Sequence, residues 1–571
     1  MKLDFSNTNS LWCSVLVETL VRCGLTHAVV SPGSRSTPLT FALVRHGAVD
    51  CIPVLDERSA GFFALGLARR TRRPVALVCT SGSAGANYFP AVIEAHESRI
   101  PLLVLTADRP PELRECASGQ TIDQQKYFGD HVSWYHELAV PEPQVERLRY
   151  VRQTARQAWR RAASDGPVHL NLPFRDPLPP IADGSVTALG GEVSESFFEW
   201  PENPEASFGL QLHQRSTTAR GVIVAGPAQP AEPAAYAAHV LGLARDLGWP
   251  VLADALSPVR HYAGPADVVV SAYDAILRNP TVAHDLIPRM VLCLEGWPTS
   301  KVLRGWLEQA QAEMVLVSPM PGSRDALHGK TREITAPVTA LVARGAAMPG
   351  DGYREAWTRA ERRARDLLDA RLESDESGTF EGRIPWLLAR HLPAGSTLCV
   401  ASSMPVRDVE TVWPVNDRGI RIAFSRGANG IDGTLSTALG VAHDGPPTVL
   451  LTGDLALLHD TNGFLTAPRL RGSLTVIVIN NGGGGIFEHL PVAQFDPPFE
   501  EFFATPQSVN LEQLARAYGL AYQKLNTASD LVEAISTLPP QGVRLLEWRT
   551  DRKRDAALRK RLFADAAAAC G

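Results

Sequence analysis

Pro74-Val-Ala-Leu-Val-Cys-Thr-Ser-Gly-Ser-Ala-Gly-Ala-Asn87 is the stretch on which the fold turns. It opens as an unbroken apolar run of strand length, the kind a parallel sheet buries on both faces, and breaks into a Gly/Ser turn at 81–85. An amphipathic, helix-length segment over 87–99 follows. The same alternation extends outward in both directions: apolar runs at 27–31, 51–55 and 101–107 flank a helical pattern over 57–70, with Ser-Pro-Gly at 31–33 closing the first run. This is repeated βαβ grammar, and it places Gly/Ser turns at strand C-terminal ends, where parallel sheets build ligand sites. The first α/β domain is expected over residues 1–180.

The grammar recurs twice. A central α/β domain over 205–345 carries apolar runs at 221–226, 289–294 and 313–318. A third domain over 380–571 carries runs at 397–402, 421–425, 448–452 and 474–480 and a helical pattern over 433–443. Two similar α/β domains therefore flank a middle one, which suits 571 residues at ~150 residues per domain. The Pro-, Gly-, Glu- and Ser-rich residues 173–205 read as an extended surface linker, and the Arg/Glu-rich residues 353–377 as a solvated helix and second linker.

Composition narrows the function classes. Hydrophobic residues make up 45% and charged residues 20% of the chain, enough for large buried cores. With 56 Lys plus Arg against 61 Asp plus Glu, the net charge of −5 announces no nucleic-acid face. No apolar run is long enough to span a membrane, and Met1-Lys-Leu-Asp-Phe-Ser-Asn7 lacks the apolar core of an export signal. The eight cysteines form no C-x-x-C pair, so a disulfide framework or zinc knuckle lacks its spacing. A cytoplasmic protein without a membrane span is expected.

Chemistry concentrates at strand ends. Gly453-Asp454 closes one apolar run, and Asn481, within Ile479-Asn-Asn-Gly-Gly483, closes the next. An Asp carboxylate, an Asn amide oxygen and a loop carbonyl such as that of Gly483 supply half an octahedral oxygen shell, which a diphosphate and water complete around Mg²⁺. Taken singly, Gly-Asp and Asn-Asn-Gly are ordinary turn formers. Glu57 follows a strand and opens a helix, where the plain alternative is a carboxylate favouring the helix dipole. Arg35, Arg109, Arg407 and Arg426 all lie beside strand ends, and the planar guanidinium fork suits carboxylates.

These features together resemble the thiamine diphosphate-dependent enzymes, which combine a pyrimidine-binding, a central and a diphosphate-binding domain. The resemblance covers essentially the whole chain. It implies thiamine diphosphate with Mg²⁺, or Mn²⁺ in its place, held through Asp454, Asn481 and Gly483. It also implies that Glu57 is the catalytic carboxyl, hydrogen-bonded to N1′ of the aminopyrimidine. The usual third residue of Gly-Asp-Gly is Leu455 here. That departure fits a subgroup also resembled in Ser31-Pro-Gly-Ser-Arg-Ser-Thr-Pro38, Asp56-Glu-Arg58, Thr80-Ser-Gly-Ser-Ala-Gly-Ala-Asn87, Leu105-Thr-Ala-Asp-Arg-Pro-Pro-Glu-Leu113, Ser425-Arg-Gly-Ala-Asn-Gly-Ile-Asp-Gly433 and Gly484-Gly-Ile-Phe-Glu-His-Leu-Pro491.

Members of that subgroup are transferases of menaquinone biosynthesis that decarboxylate 2-oxoglutarate and add the product 1,4 to isochorismate, as homodimers or homotetramers. By this resemblance Ser34, Arg35, Arg109, Gln120, Lys301, Ser403, Arg407 and Arg426 contact substrate, and Ile486, Phe487 and Leu490 line its apolar side. Ser403, Gly453, Leu455 and Ile486 join the cofactor contacts, and Ile431 is the wedge that bends the cofactor. Gly119 and Val302 stand where the subgroup often has Asn and Arg. Two alternatives stay open: a sister enzyme that uses pyruvate, such as an acetohydroxyacid synthase, and a non-catalytic binding protein on the same fold.

Overall fold

The computed structural model describes residues 2–199, 220–320, 325–328, 331–342, 352–374 and 378–571. The expected boundaries at 205 and 345, and the ends of both expected linkers, lie outside the described residues.

Three six-stranded sheets carry the fold. The first contains β1 (His27–Val30), β2 (Asp50–Pro53), β3 (Val75–Cys79), β4 (Leu102–Asp108), β5 (Trp134–Glu137) and β6 (Val168–Pro173), ordered β2-β1-β3-β4-β6-β5. The second contains β7 (Gly221–Ala225), β8 (Val251–Ala253), β9 (Val269–Val270), β10 (Met290–Leu294), β11 (Glu313–Ser318) and β12 (Arg332–Thr335), ordered β12-β11-β10-β7-β8-β9. The third contains β13 (Thr397–Val400), β14 (Arg421–Phe424), β15 (Thr448–Gly453), β16 (Ser473–Asn480), β17 (Ala521–Leu525) and β18 (Gly542–Arg549), ordered β14-β13-β15-β16-β18-β17.

Every pairing in the first two sheets is parallel. In the third, β13 runs parallel to β14 and β15, and β17 to β18. β3 and β4 are buried along their whole length, which is why they read as continuous apolar runs.

Counted from its own first strand, the third sheet has the same order as the first. In each, the chain steps outward from the first strand to the second and then crosses back to the third. The crevice between first and third strands is therefore a topological switch point, where ligands bind beyond the strand C-termini. In the first sheet it lies past Val30 and Cys79, in the third past Val400 and Gly453.

The chain gathers into two compact units that do not follow its order. One comprises Met1–Glu205, Ser425–Gly445 and Ala456–Leu474; the other comprises Ala206–Phe424, Pro446–Leu455 and Thr475–Gly571. Within the first unit, helix Glu57–Thr71 crosses helix Thr434–Ala442 at glycines. A Cβ on Gly66 would lie 2.0 Å from the Thr437 carbonyl oxygen, and one on Gly440 2.1 Å from that of Phe63. Backbone-to-backbone approach of this kind leaves no room for a side chain.

Both expected linkers are more structured than their composition suggests. Val186, Leu189, Val193, Phe197 and Phe198, within the described part of 173–205, are buried in the first unit's core. The charged segment forms helix Tyr353–Glu373, and its Tyr353, Trp357, Ala360, Ala364, Leu368 and Leu372 enter the large core of the second unit. Spacings of three and four place these six on one stripe, so charge density hid an amphipathic packing helix.

Candidate active site

The first unit holds one set of polar groups at its switch point. Helix Glu57–Thr71 begins where β2 ends, and Asp56 is its N-cap: the carboxylate accepts hydrogen bonds from the backbone N–H of Arg58 (2.9 Å) and Ser59 (3.2 Å). Asp56 therefore caps the helix, while Glu57 is the acid of its first turn. Asn462 donates to Asp56 at 2.7 Å, and Arg58 donates to the His459 carbonyl at 2.8 Å, fixing the helix start. Glu57 is half-buried, and burial, helped by the charge of Asp56, holds its carboxyl above the ordinary range. Burial raises Cys79 and Tyr88, at the end of β3 and in the turn beyond it, and the charge of Glu57 adds a little to both. An open, largely apolar cavity of about 410 Å³ lies past the ends of β1 and β2, lined by Ser31, Pro32, Gly33, Thr40 and Leu55.

An arginine pair stands on the same side of the sheet. The Arg35 backbone N–H donates to Thr80 Oγ1 (3.3 Å) and its guanidinium to the Phe174 carbonyl (3.0 Å). Arg109 donates to Ser81 Oγ, whose hydroxyl donates to the Gln120 carbonyl, while Gln120 Nε2 donates to the Ser81 carbonyl at 3.0 Å. Burial and the nearby charge of Arg35 lower the proton affinity of Arg109. Asp176, 3.9 Å from Arg35 and also acting on Arg109, is the carboxylate the chain itself sets against this pair. Ser34 precedes Arg35 and is exposed, and a Cβ on Gly119 would meet open space. Ser81, the group that ties Arg109 to Gln120, is not singled out by the sequence, although it lies within the Thr80–Asn87 motif.

The first unit also fixes the loop carrying Arg426 and Ile431. The buried carboxylate of Glu94 accepts from the backbone N–H of Gly427 (3.2 Å) and Ala428 (2.7 Å), with Ser98 and Arg69 on the same group. Gly433 closes the loop at φ +63°, where a Cβ would lie 2.0 Å from the Phe62 ring. Arg426 and Ile431 are left half-exposed. His27, Asp50 and Asp444 lie close enough to share an ion, but Arg471 bridges the two aspartates and already supplies the positive charge.

The second unit holds the other set. Asp454 ends β15 with Oδ1 accepting from Leu455 N–H (2.8 Å) and Oδ2 from Gly483 N–H (2.9 Å). Burial pushes its carboxyl from 3.8 up to about 6, against the pull of these donors. Asn481, past the end of β16, donates through Nδ2 to Glu381 at 2.9 Å, and its Oδ1 is buried with no hydrogen-bond partner among the described residues. An orphaned buried oxygen and a poorly solvated carboxylate, on loops tied together by the Gly483–Asp454 hydrogen bond, are a donor set that a hard divalent cation satisfies, so these residues fit the expected metal. Gly483 has φ +129°, and a Cβ there would meet the Ala504 carbonyl oxygen at 2.3 Å, so the loop carbonyls depend on glycine. A Cβ on Gly453 would meet nothing within 4 Å, and Leu455 is half-exposed.

Ser403, between β13 and helix Met404–Val412, has φ +71° and ψ −130°, a strained backbone for a non-glycine residue. Its carbonyl accepts from Arg407 Nη1 at 2.6 Å. Burial, then the charge of Arg304, lowers the proton affinity of Arg407. Arg304 is a second cation that the sequence does not single out; it lies on helix Lys301–Ala310, one turn after the exposed Lys301. Val302 of that helix packs on the core. Phe487 stacks edge-on with Phe503 (5.8 Å), Ile486 is half-buried, and Leu490 is exposed.

Comparison with known proteins gives one answer. The family model "Thiamine pyrophosphate enzyme, N-terminal TPP binding domain" matches residues 13–130. "Middle domain of thiamine pyrophosphate" matches 202–397, and "Thiamine pyrophosphate enzyme, C-terminal TPP binding domain" matches 411–547. A 2-succinyl-5-enolpyruvyl-6-hydroxy-3-cyclohexene-1-carboxylate synthase of Microcystis aeruginosa is 50% identical over 561 residues, covering 97% of this chain and 98% of that protein. Proteins of the same name from Trichodesmium erythraeum and Synechococcus sp. (strain JA-3-3Ab) are 47% and 50% identical, over 98% of this chain and 98% and 97% of theirs. With three domains in matching order and half of its residues shared over nearly its full length, the chain belongs to the thiamine pyrophosphate enzymes, in the 2-succinyl-5-enolpyruvyl-6-hydroxy-3-cyclohexene-1-carboxylate synthase family.

Proposed function

We propose that the chain decarboxylates 2-oxoglutarate and adds the remaining four-carbon unit 1,4 to isochorismate, giving the product named in its relatives and CO₂. When bound, thiamine diphosphate supplies the carbon nucleophile and the electron sink for this chemistry. Asp454, Asn481 Oδ1 and the Gly483 carbonyl would hold Mg²⁺, or Mn²⁺, which would offset the charge of the diphosphate. Glu57, its carboxyl raised by burial, holds or releases a proton at the aminopyrimidine ring. Ile431 and Ile486 shape the apolar wall beside the cofactor.

The observation that carries the substrate assignment is the pairing of half-buried guanidiniums, Arg35 with Arg109 and Arg304 with Arg407. Pyruvate, with one carboxylate, has little use for so many cations, whereas 2-oxoglutarate and isochorismate each bring two. Each charge-assisted hydrogen bond contributes ~1.5–3 kcal/mol, so a second carboxylate is worth orders of magnitude in selectivity. Ser34, Gln120, Lys301, Ser403 and Arg426 complete the polar contacts, and Phe487 and Leu490 shield the ring of isochorismate. We further infer a homodimer or homotetramer in the cytoplasm; Leu55, 65% exposed two residues before Glu57, suits burial by a second copy.

The test supplies thiamine diphosphate, Mg²⁺, 2-oxoglutarate and isochorismate and follows isochorismate loss by absorbance. Stoichiometric CO₂ release is expected. Consumption of pyruvate with isochorismate untouched would overturn the substrate assignment and favour an acetohydroxyacid synthase activity.

A further inference from the structure

The amide of Asn481 has two chemically opposite ends, and only one of them can ligate a cation. Glu381, just ahead of helix Arg383–His391, decides which end faces where. Its Oε1 accepts from Arg559 Nη2 at 2.7 Å and its Oε2 from Asn481 Nδ2 at 2.9 Å. With Oε1 taken by the guanidinium, Oε2 presents a lone pair to the amide, so Asn481 turns its NH₂ toward it and its oxygen away. Arg559, on the C-terminal helix Arg552–Cys570, is itself fully engaged: it donates to Asp408 through Nε (2.9 Å) and Nη2 (2.7 and 2.9 Å), and Nη1 lies 3.1 Å from His489 Nε2. All of these side chains except His489 are almost completely buried, so no water competes for the amide.

We propose that Glu381, locked by Arg559, is a positioning residue that orients the Asn481 amide oxygen toward the cation and thereby sets metal affinity. The inference rests on the reading of Asn481 as a metal ligand and goes beyond it, because neither Glu381 nor Arg559 is among the expected cofactor or substrate contacts. It also joins the metal site to helix Met404–Val412: Asp408, the other carboxylate on Arg559, adjoins Arg407.

Glu381→Gln is the decisive change, being isosteric. The Gln carbonyl can face Arg559 or Asn481, and the charge-assisted bond to Arg559, roughly twice as strong as a neutral one, takes it. The Gln NH₂ then faces Asn481, which flips to offer its oxygen and turns its own NH₂ toward the cation. Mn²⁺ is titrated into chelator-treated protein with thiamine diphosphate present, free Mn²⁺ being read by electron paramagnetic resonance and the fold by circular dichroism.

E381Q should bind Mn²⁺ about 10–100-fold more weakly with an unchanged fold, the usual effect of losing a partner behind a metal ligand. Asn481→Asp should reverse the sign between backgrounds. Alone it sets two carboxylates face to face and weakens binding; combined with E381Q it accepts the Gln NH₂ with one oxygen, ligates with the other and restores affinity. Affinity of E381Q within twofold of wild type, or an equal effect of N481D in both backgrounds, overturns the proposal while leaving Asn481 a ligand. Wild-type protein that takes up no Mn²⁺ with thiamine diphosphate overturns both it and the metal reading beneath it.

Discussion

Replacing Asp454 by Asn should remove a pH-dependent cost that the cofactor-free protein carries while abolishing its response to metal. Asp454 is 7% exposed, and burial raises its carboxyl from 3.8 to about 6. A carboxyl with a folded pKa above its unfolded one keeps its proton in the folded chain where the unfolded chain has lost it. Stability therefore falls as pH climbs from 3.8 to about 6, and the whole cost is present above that. At about 1.36 kcal/mol per pH unit the cost is ~3 kcal/mol, of which about half develops above pH 5.

Asn keeps one of the two acceptor oxygens and sets an NH₂ against the other backbone N–H, a pH-independent loss of about 1–3 kcal/mol, so the variant should start below wild type at low pH. Between pH 5 and pH 7.5 the stability difference should shift by ~1.5 kcal/mol toward Asp454→Asn, about 3 °C in the melting temperature of a unit of this size. Calorimetry on chelator-treated protein at both pH values reads this directly. Saturating Mg²⁺ and thiamine diphosphate at 100 times the dissociation constant then stabilises wild type by ~2.7 kcal/mol and leaves the variant unmoved. A gap that does not change with pH, or a variant stabilised by Mg²⁺ as strongly as wild type, would refute the account of Asp454 as a buried carboxylate waiting for a cation.

Glu57→Gln should slow deuterium exchange at C2 of bound thiamine diphosphate by orders of magnitude, followed by NMR, without loss of cofactor affinity; unchanged exchange would remove Glu57 from that role. Arg109→Ala should lower kcat/KM for 2-oxoglutarate about 10–100-fold, the loss of one charge-assisted contact, and equal loss on a monocarboxylate would count against a dicarboxylate clamp. Gly66→Ala forces a methyl to 2.0 Å from the Thr437 carbonyl oxygen, so thermal unfolding should shift down by several degrees; an unaltered melting curve would mean the two helices separate easily.

Much of this architecture is legible in the sequence because parallel strands buried on both faces must be continuous apolar runs, and β3, β4, β15 and β16 are. Strand ends then point to Asp454, Asn481 and Arg109, since the chain has to turn there. What stays hidden depends on partners far away in sequence or on backbone angles. Asp56 and Glu57 are adjacent acids, and only the extended backbone of Asp56 makes it the cap. Arg304 gains meaning from Arg407, and Glu381 from Arg559, neither of them near in sequence. The Tyr353–Glu373 stripe is diluted by arginines and glutamates, so composition outweighs periodicity unless residues are counted by turn.

The glycine crossing of helices Glu57–Thr71 and Thr434–Ala442 has a consequence for biosynthesis. At 5–20 residues per second, the ribosome needs roughly 20–70 s to travel from the first of these helices to the second. During that interval the face around Gly66 has no cover, and the nascent amino-terminal half must be guarded from sticking elsewhere. Fragments that stop before Thr434 should accordingly depend on chaperones for solubility, whereas the finished polypeptide closes its own seam.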